Sequence, residues 1–282
     1  GAIGPVRHVH AWTNRPVWPQ GVEVERPAET PAVPDTLDWD RWLGPAPYRP
    51  YHPTYLPASW RAWSDFGTGS LGDLGCHILD PVFWSLKLKY PTVVEACIST
   101  YWDGFWHKKE WTQESFPRST IVRYQFPERD GMPAVKVDWY DGGMMPPRPD
   151  DLEEGRQMGD SDGGVIFEGD NGKLMCGCYG LNPRLFPETK MKEFKRPDPS
   201  IPRIPDGSGG HEKDWVRACK DGKPSSTNFD YAGPLTEMVV MGNLAIRNPD
   251  QRLLWDGENM RFTNSETANQ FVHRTYREGW SL

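Results

Sequence analysis

The sequence is sparing with cysteine, with long apolar runs and with excess positive charge. Five cysteines stand among 282 residues, an odd number, and Cys176-Gly-Cys178 is the one close pair. No zinc spacing and no disulfide framework can be read from them, so no metal ligand set is expected and the redox compartment stays open. No stretch approaches the roughly 18 consecutive apolar residues that cross a bilayer, and no secretory h-region is present. Basic side chains number 32 against 39 acidic ones, a net charge of −7, which argues against nucleic acid or an anionic membrane as partner. Strand–helix–strand alternation, the signature of a nucleotide-binding parallel sheet, is also missing, as are internal repeats and low-complexity tracts. The chain opens Gly1-Ala2-Ile3-Gly4 without Met, and a processed or partial product is therefore expected.

What is abundant is glycine and proline, 28 of each, together with 14 tryptophans. The first two imply many turns and long ordered loops. The third serves a core, and it also suits stacking on sugar rings, because an indole is apolar on its face and polar at its tip. The length is enough to bury a sizeable core.

Local patterning gives the element order. Residues 3–12 alternate (Ile3, Val6, His8, His10, Trp12) and predict a strand. Residues 16–59 are Pro-rich without helical period, yet carry Trp18, Trp39, Trp42, Tyr48, Tyr51 and Tyr55, so an ordered surface loop is expected rather than a disordered linker. A glycine-rich turn over 60–72 leads into a helix over about 73–86. Strands are predicted over 92–101, 119–126, 134–140, 165–168 and 173–179. The last two flank Gly169-Asp-Asn-Gly172, a hairpin signal in which Asn-Gly supplies positive φ. A second Pro-rich loop fills 181–209. Helices over 211–220, 234–247 and 266–277 close the chain. The middle one opens with Pro234 in its first turn and aligns Leu235, Met238, Val239, Gly242 and Ile246 on one face. Consecutive strands with segregated helices predict an α+β fold: an open-faced, mostly antiparallel sheet, helices on one face, and long Pro-rich ordered loops.

Gly67-Thr-Gly69-Ser-Leu-Gly72 has the G-x-G-x-x-G spacing. A dinucleotide fingerprint needs a buried strand before it, and Trp60-Arg-Ala-Trp-Ser-Asp-Phe66 is not one. A turn entering a helix is the better reading. That helix is more informative. Asp73, His77, Asp80 and Trp84 share one face and Leu74, Ile78 and Val82 form the other. A carboxylate four residues before an imidazole can hydrogen-bond it and raise its basicity, as a general base requires. The structural alternative has Asp73 as an N-cap and His77 as an interior histidine. Gly72 and Gly75 leave room for a close approach, and Pro81 is expected to kink the helix after Asp80.

The run from Trp60 to Asp80 resembles the Gfo/Idh/MocA oxidoreductases, in the branch with the bacterial-type C-terminal domain. Trp12-Thr-Asn-Arg-Pro-Val-Trp-Pro-Gln-Gly21, Trp139-Tyr-Asp-Gly-Gly143, Phe229-Asp-Tyr-Ala-Gly-Pro-Leu-Thr-Glu237, Trp255-Asp256 and Arg277-Glu-Gly-Trp280 fit in the family's order. The resemblance implies that residues 1–282 form a single substrate-binding and oligomerisation domain. The family's N-terminal Rossmann domain and its catalytic lysine motif are absent from this chain. The Asp-x-Gly-x-His motif maps onto Asp73, Gly75 and His77 and implies that Asp73 and His77 are catalytic. The implied chemistry is hydride transfer between a sugar-like secondary alcohol and NAD or NADP, the dinucleotide being bound mainly by a domain outside this chain. Cleavage of a glycoside through the same transient oxidation stays open. So does a carbohydrate-binding or assembly module without catalysis, which would have less need of His77.

Further candidates follow. Asn14 and Arg15, with Thr13, end the first strand and could reach a sugar hydroxyl or form a plain turn. Trp60 and Arg61 are candidates to line the pocket, with aromatic packing and a cation–π contact as the alternative. Asp80 shares the face of His77. His211 opens a helix with Asp214 three residues on. Trp139-Tyr140-Asp141 ends a strand, and Cys176 and Cys178 suit small core positions better than metal ligation. A homo-oligomer through an exposed apolar sheet face is expected, the separate Rossmann domain is the other implied partner, and the compartment is left between bacterial cytoplasm and periplasm.

Overall fold

A computed structural model describes residues 1–21 and 25–281, without the side chain of Ser208. Residues 22–24, inside the first predicted loop, lie outside the described residues.

Eleven strands and seven α-helices are found among the described residues. The strands are β1 (Val6–Thr13), β2 (Val93–Ile98), β3 (Tyr101–Trp102), β4 (Lys108–Lys109), β5 (Thr120–Phe126), β6 (Val135–Tyr140), β7 (Gly163–Gly169), β8 (Gly172–Gly177), β9 (Arg184–Phe186), β10 (Leu253–Asp256) and β11 (Arg261–Phe262). The helices are α1 (Trp39–Leu43), α2 (Gly69–Ile78), α3 (Asp80–Ser85), α4 (Glu188–Glu193), α5 (Gly210–Asp221), α6 (Phe229–Arg247) and α7 (Glu266–Asn269). Nine strands form one sheet in the order β11-β10-β2-β5-β6-β1-β7-β8-β9, and β3 and β4 form a separate hairpin. Pairing is antiparallel except between β1 and β6. The α+β fold with an open, mostly antiparallel sheet stands as expected. No helix is long and apolar enough to cross a membrane among the described residues.

The pleat sorts the residues. One face presents Val9, Ala11, Val94, Ala96, Val122, Tyr124, Val137, Trp139 and Val165 to a core that also holds Leu71, Leu74 and Ile78 of α2, Val82 of α3 and Leu235, Met238, Val239 and Ile246 of α6. Each such aliphatic contributes roughly 1.5–3 kcal/mol over exposure, so burial of this face, more than helix propensity, fixes α2 and α6. The two helices can meet because glycines stand at the crossing. A Cβ on Gly75 would lie 3.0 Å from Val239, and one on Gly242 would lie 2.2 Å from the Tyr124 hydroxyl.

The opposite face is not the apolar surface that the sequence led us to expect. Away from a small cluster around Trp12, Tyr140, Ile166 and Met175, alternation places Glu95, Arg123, Lys136, Asp138, His8, His10 and Glu168 there. The physical reason offered for an oligomer therefore does not hold in that form.

Other corrections concern boundaries. The helix predicted from 73 begins at Gly69, whose positive φ of 61° starts the first turn, and breaks at Leu79 before Pro81. Helix α6 starts at Phe229, capped by the Asn228 side chain accepting from Asp230 N–H, so Pro234 lies inside it rather than opening it. Helix α7 stops at Asn269 instead of 277. The hairpin at 169–172 forms, but its loop is Asp170-Asn171 and the positive φ belongs to Gly172. The two Pro-rich stretches contain α1, and β9 with α4, respectively. The chain does not close on helices alone, since β10 and β11 extend the sheet after α6.

The aromatics of the first long loop have their own core. Trp39, Tyr55 and Trp63 are buried with Trp18, Trp42, Tyr51 and Phe66 against them. Arg49 sits among them at 1 % exposure, its guanidinium 4.9 Å from the Phe66 ring and paired with Asp65 and Glu114.

Candidate active site

Helix α2 lies on the sheet through Leu71, Leu74 and Ile78, which turns Asp73 and His77 outward. Asp73 is half-buried and His77 is exposed. The carboxylate does not engage the imidazole. Arg61 Nε, from the 3-10 turn Ala58–Ala62, donates to Asp73 Oδ1 at 3.0 Å. The same guanidinium stands 4.6 Å from the Trp60 ring and 5.9 Å from Trp18. His77 instead meets Tyr179, ring centroids 5.2 Å apart.

Tyr179 comes directly after Cys178, whose N–H donates to Asp160 of the loop before β7. It follows β8 with a φ of 61° and is 57 % exposed. Its phenol is held above the ordinary tyrosine value, first by the neighbouring Cys178, then by burial and Asp162, with Arg15 acting in the opposite direction. Arg15 pairs with Asp162 at 3.2 Å and also donates to the Asn14 side chain. Asn14 Nδ2 donates to the Ser161 carbonyl at 2.6 Å. Asp160 pins this arrangement. One of its oxygens accepts from the N–H groups of Asp162 and Gly163, and the other accepts from Cys178 N–H. Beside it, Trp12, Asn14, Arg148, Arg156, Asp160 and Ser161 line a cleft of about 380 Å³.

The structure thus brings Asn14, Arg15 and Asp162 to one rim, and sets His77 against Tyr179, one residue beyond the Cys178 that Asp160 holds. Arg61 joins Trp60 to Asp73. Asp80 accepts a hydrogen bond from the Tyr231 hydroxyl of α6, and burial, followed by this contact, raises the Tyr231 phenol. His211 stands exposed at the start of α5, apart from these contacts. Tyr179, Asp160 and Asp162 escaped the sequence reading, because their roles come from sheet register and not from any local motif.

The glycine run does not fit a dinucleotide phosphate. A Cβ on Gly67 would lie 2.6 Å from Arg61 backbone, one on Gly69 would lie 2.8 Å from Phe116, and one on Gly72 would lie 1.8 Å from Thr68 Oγ1. Each glycine is already occupied by protein packing, in line with a turn entering a helix.

An exposed histidine and a half-buried carboxylate thus stand on the outer side of a helix laid across an open α+β sheet. Residues 11–102, which contain Asn14, Arg15, Trp60, Arg61, Asp73, His77 and Asp80, match the oxidoreductase family, C-terminal alpha/beta domain, of the Gfo/Idh/MocA group. The resemblance read from the sequence is borne out over this stretch. Among solved structures the chain is similar to an oxidoreductase from Sinorhizobium meliloti, with 15% identity, 88% of this chain and 57% of that one covered, and a TM-score of 0.39. It is also similar to a candidate oxidoreductase from Bacteroides fragilis NCTC 9343, with 11% identity, 90% and 59% covered, and a TM-score of 0.41. The chain spans less than two thirds of the length of either. No curated protein matches it.

Proposed function

We propose that this chain is the substrate-binding and proton-transferring half of a nicotinamide-dependent oxidoreductase acting on a secondary alcohol of a sugar or glycoside. The observation that carries the reading is the exposed His77 on α2, seated against Tyr179, whose neighbour Cys178 is held by Asp160 of the loop that also carries Asp162. An imidazole so placed can take the hydroxyl proton at a ring nitrogen, while polar side chains and an aromatic face orient a pyranose. Asp73 acts through Arg61, holding it and the indole of Trp60 at the edge of the same helix. NAD or NADP, as hydride carrier, is left to a separate Rossmann domain, consistent with a glycine run already filled by packing. The open sheet face is assigned to contact with a second copy through polar groups, and a monomer by light scattering would remove that assignment.

The test is product analysis. The chain joined to a dinucleotide-binding domain is incubated with hexoses and methyl hexosides and either NAD or NADP. A keto sugar supports the proposal. A free sugar from the glycoside assigns the cleaving variant of the reaction, and saturable binding without turnover assigns a binding module.

A further inference from the structure

On the face of the sheet opposite α2, two imidazoles and a carboxylate converge that the proton transfer proposed above does not use. Alternation places His8 and His10 on the same side of β1. Parallel pairing sets Asp138 of β6 directly beside His10, and antiparallel pairing sets Glu168 of β7 beside His8. His8 Nε2 lies 3.0 Å from Asp138 Oδ2, and His10 Nδ1 lies 4.0 Å from the same oxygen. One donor atom from each of the three falls within 4.8 Å of the others. The imidazole centroids are 4.1 Å apart, and the side chains of His10 and Asp138 keep 12% and 13% of their exposure.

We propose that His8, His10 and Asp138 form a binding site for one divalent transition-metal ion of the zinc class. The chemistry of the donor set favours it. Two imidazoles and one carboxylate suit Zn²⁺, Co²⁺, Ni²⁺ or Cu²⁺, whereas Mg²⁺ and Ca²⁺ prefer all-oxygen sites. Zinc–nitrogen bonds of about 2.0–2.1 Å place neighbouring tetrahedral ligands roughly 3.3 Å apart, which lies between the two separations observed. The strand supplies rigidity, since His8 and His10 are fixed by ladder pairing on both sides. The Tyr140 hydroxyl, 3.2 Å from His10 Nδ1 and 3.5 Å from Asp138 Oδ2, holds the two ligand atoms and would be displaced by the ion. Glu168 stands 3.9 Å from His10 Nε2, on the side of the ring away from Asp138, as an outer partner. Groups that touch a ligand without ligating set its orientation and tautomer. Nothing in the hydrophobic core needs these histidines, because Val9 and Ala11 fill it from the same strand.

Cobalt is the probe. The chain, stripped with chelator, is titrated with Co²⁺ in a Cys97→Ser, Cys219→Ser background that removes the two exposed thiols. Visible absorption of tetrahedral or five-coordinate Co²⁺ saturating at one equivalent, and displaced by Zn²⁺, is expected. His10→Ala should weaken binding on the order of 100-fold or more, as loss of a ligand exceeds the ~10–100-fold cost of a second-layer change. His8→Gln, at the more exposed of the two positions, should keep the parent circular dichroism spectrum and weaken binding similarly. No saturable spectrum, or a spectrum untouched by both variants, overturns the site.

Discussion

Arg61 Nε donates to Asp73 Oδ1 at 3.0 Å, so a guanidinium, and not the imidazole four residues on, satisfies the carboxylate of the motif. Both side chains are about one-third exposed, and pairs in such settings contribute roughly 0.2–1 kcal/mol. The stacking on Trp60 adds about 0.5–1 kcal/mol. Arg61→Ala should therefore lower stability by only about 1 kcal/mol in urea denaturation, while weakening sugar binding well beyond that. A loss of several kcal/mol would make Arg61 a structural pivot and not a site residue.

The crossing of α2 and α6 yields a paired prediction. Gly242→Ala brings its Cβ against the Tyr124 hydroxyl and Leu71, an overpacking that costs about 1–3 kcal/mol. Gly233→Ala on the same helix meets nothing within 4 Å and should stay within roughly 0.5 kcal/mol of the parent, as exposed substitutions do. Thermal denaturation of the two variants separates close approach from helix propensity.

Asp141 sets a pH dependence of stability. Its buried carboxyl accepts from Thr120 N–H, Thr120 Oγ1–H and Trp139 Nε1–H. Burial pushes it up from 3.8 to about 7, with those three donors pulling the other way. A folded-state value above the unfolded one means that the folded chain holds the extra proton between 3.8 and about 7. The contribution to stability is then complete at low pH, declines as pH rises through that window and is constant above it. Denaturation midpoints for the parent and Asp141→Asn, measured from pH 4 to 8, should differ in slope, with the decline absent from the variant.

Much of this was legible from local pattern. Alternation marked β1, β2, β5 and β6, and the spacing of Asp73 and His77 put both on one helical face. What escaped was set by long-range pairing. The insertion of β1 between β6 and β7 depends on which edge hydrogen-bonds to which, and no window of sequence encodes that. Strand β10 is four residues long and follows helices, so its alternation of Leu253 and Trp255 was too brief to register. The His8–His10–Asp138 cluster joins residues 130 positions apart, and Tyr179 reaches His77 only after β8 is in register with β7. The preference of Asp73 for Arg61 over His77 likewise follows from where a 3-10 turn packs.

Because packing occupies Gly67, Gly69 and Gly72, this chain alone should show no saturable quenching or enhancement of NADH or NADPH fluorescence at high micromolar concentration. Saturable binding would restore the glycine run as a phosphate cradle and overturn the division of labour proposed.

The most direct test is the turnover of His77→Ala, in the chain joined to a dinucleotide-binding domain, on the sugar that gives the fastest keto product. Loss of general acid–base catalysis lowers rates by about 10²–10⁴-fold, so kcat should fall by about that factor with KM little changed. An unaltered kcat would mean that the exposed imidazole beside Tyr179 takes no proton, and the assignment of this site as catalytic would be wrong.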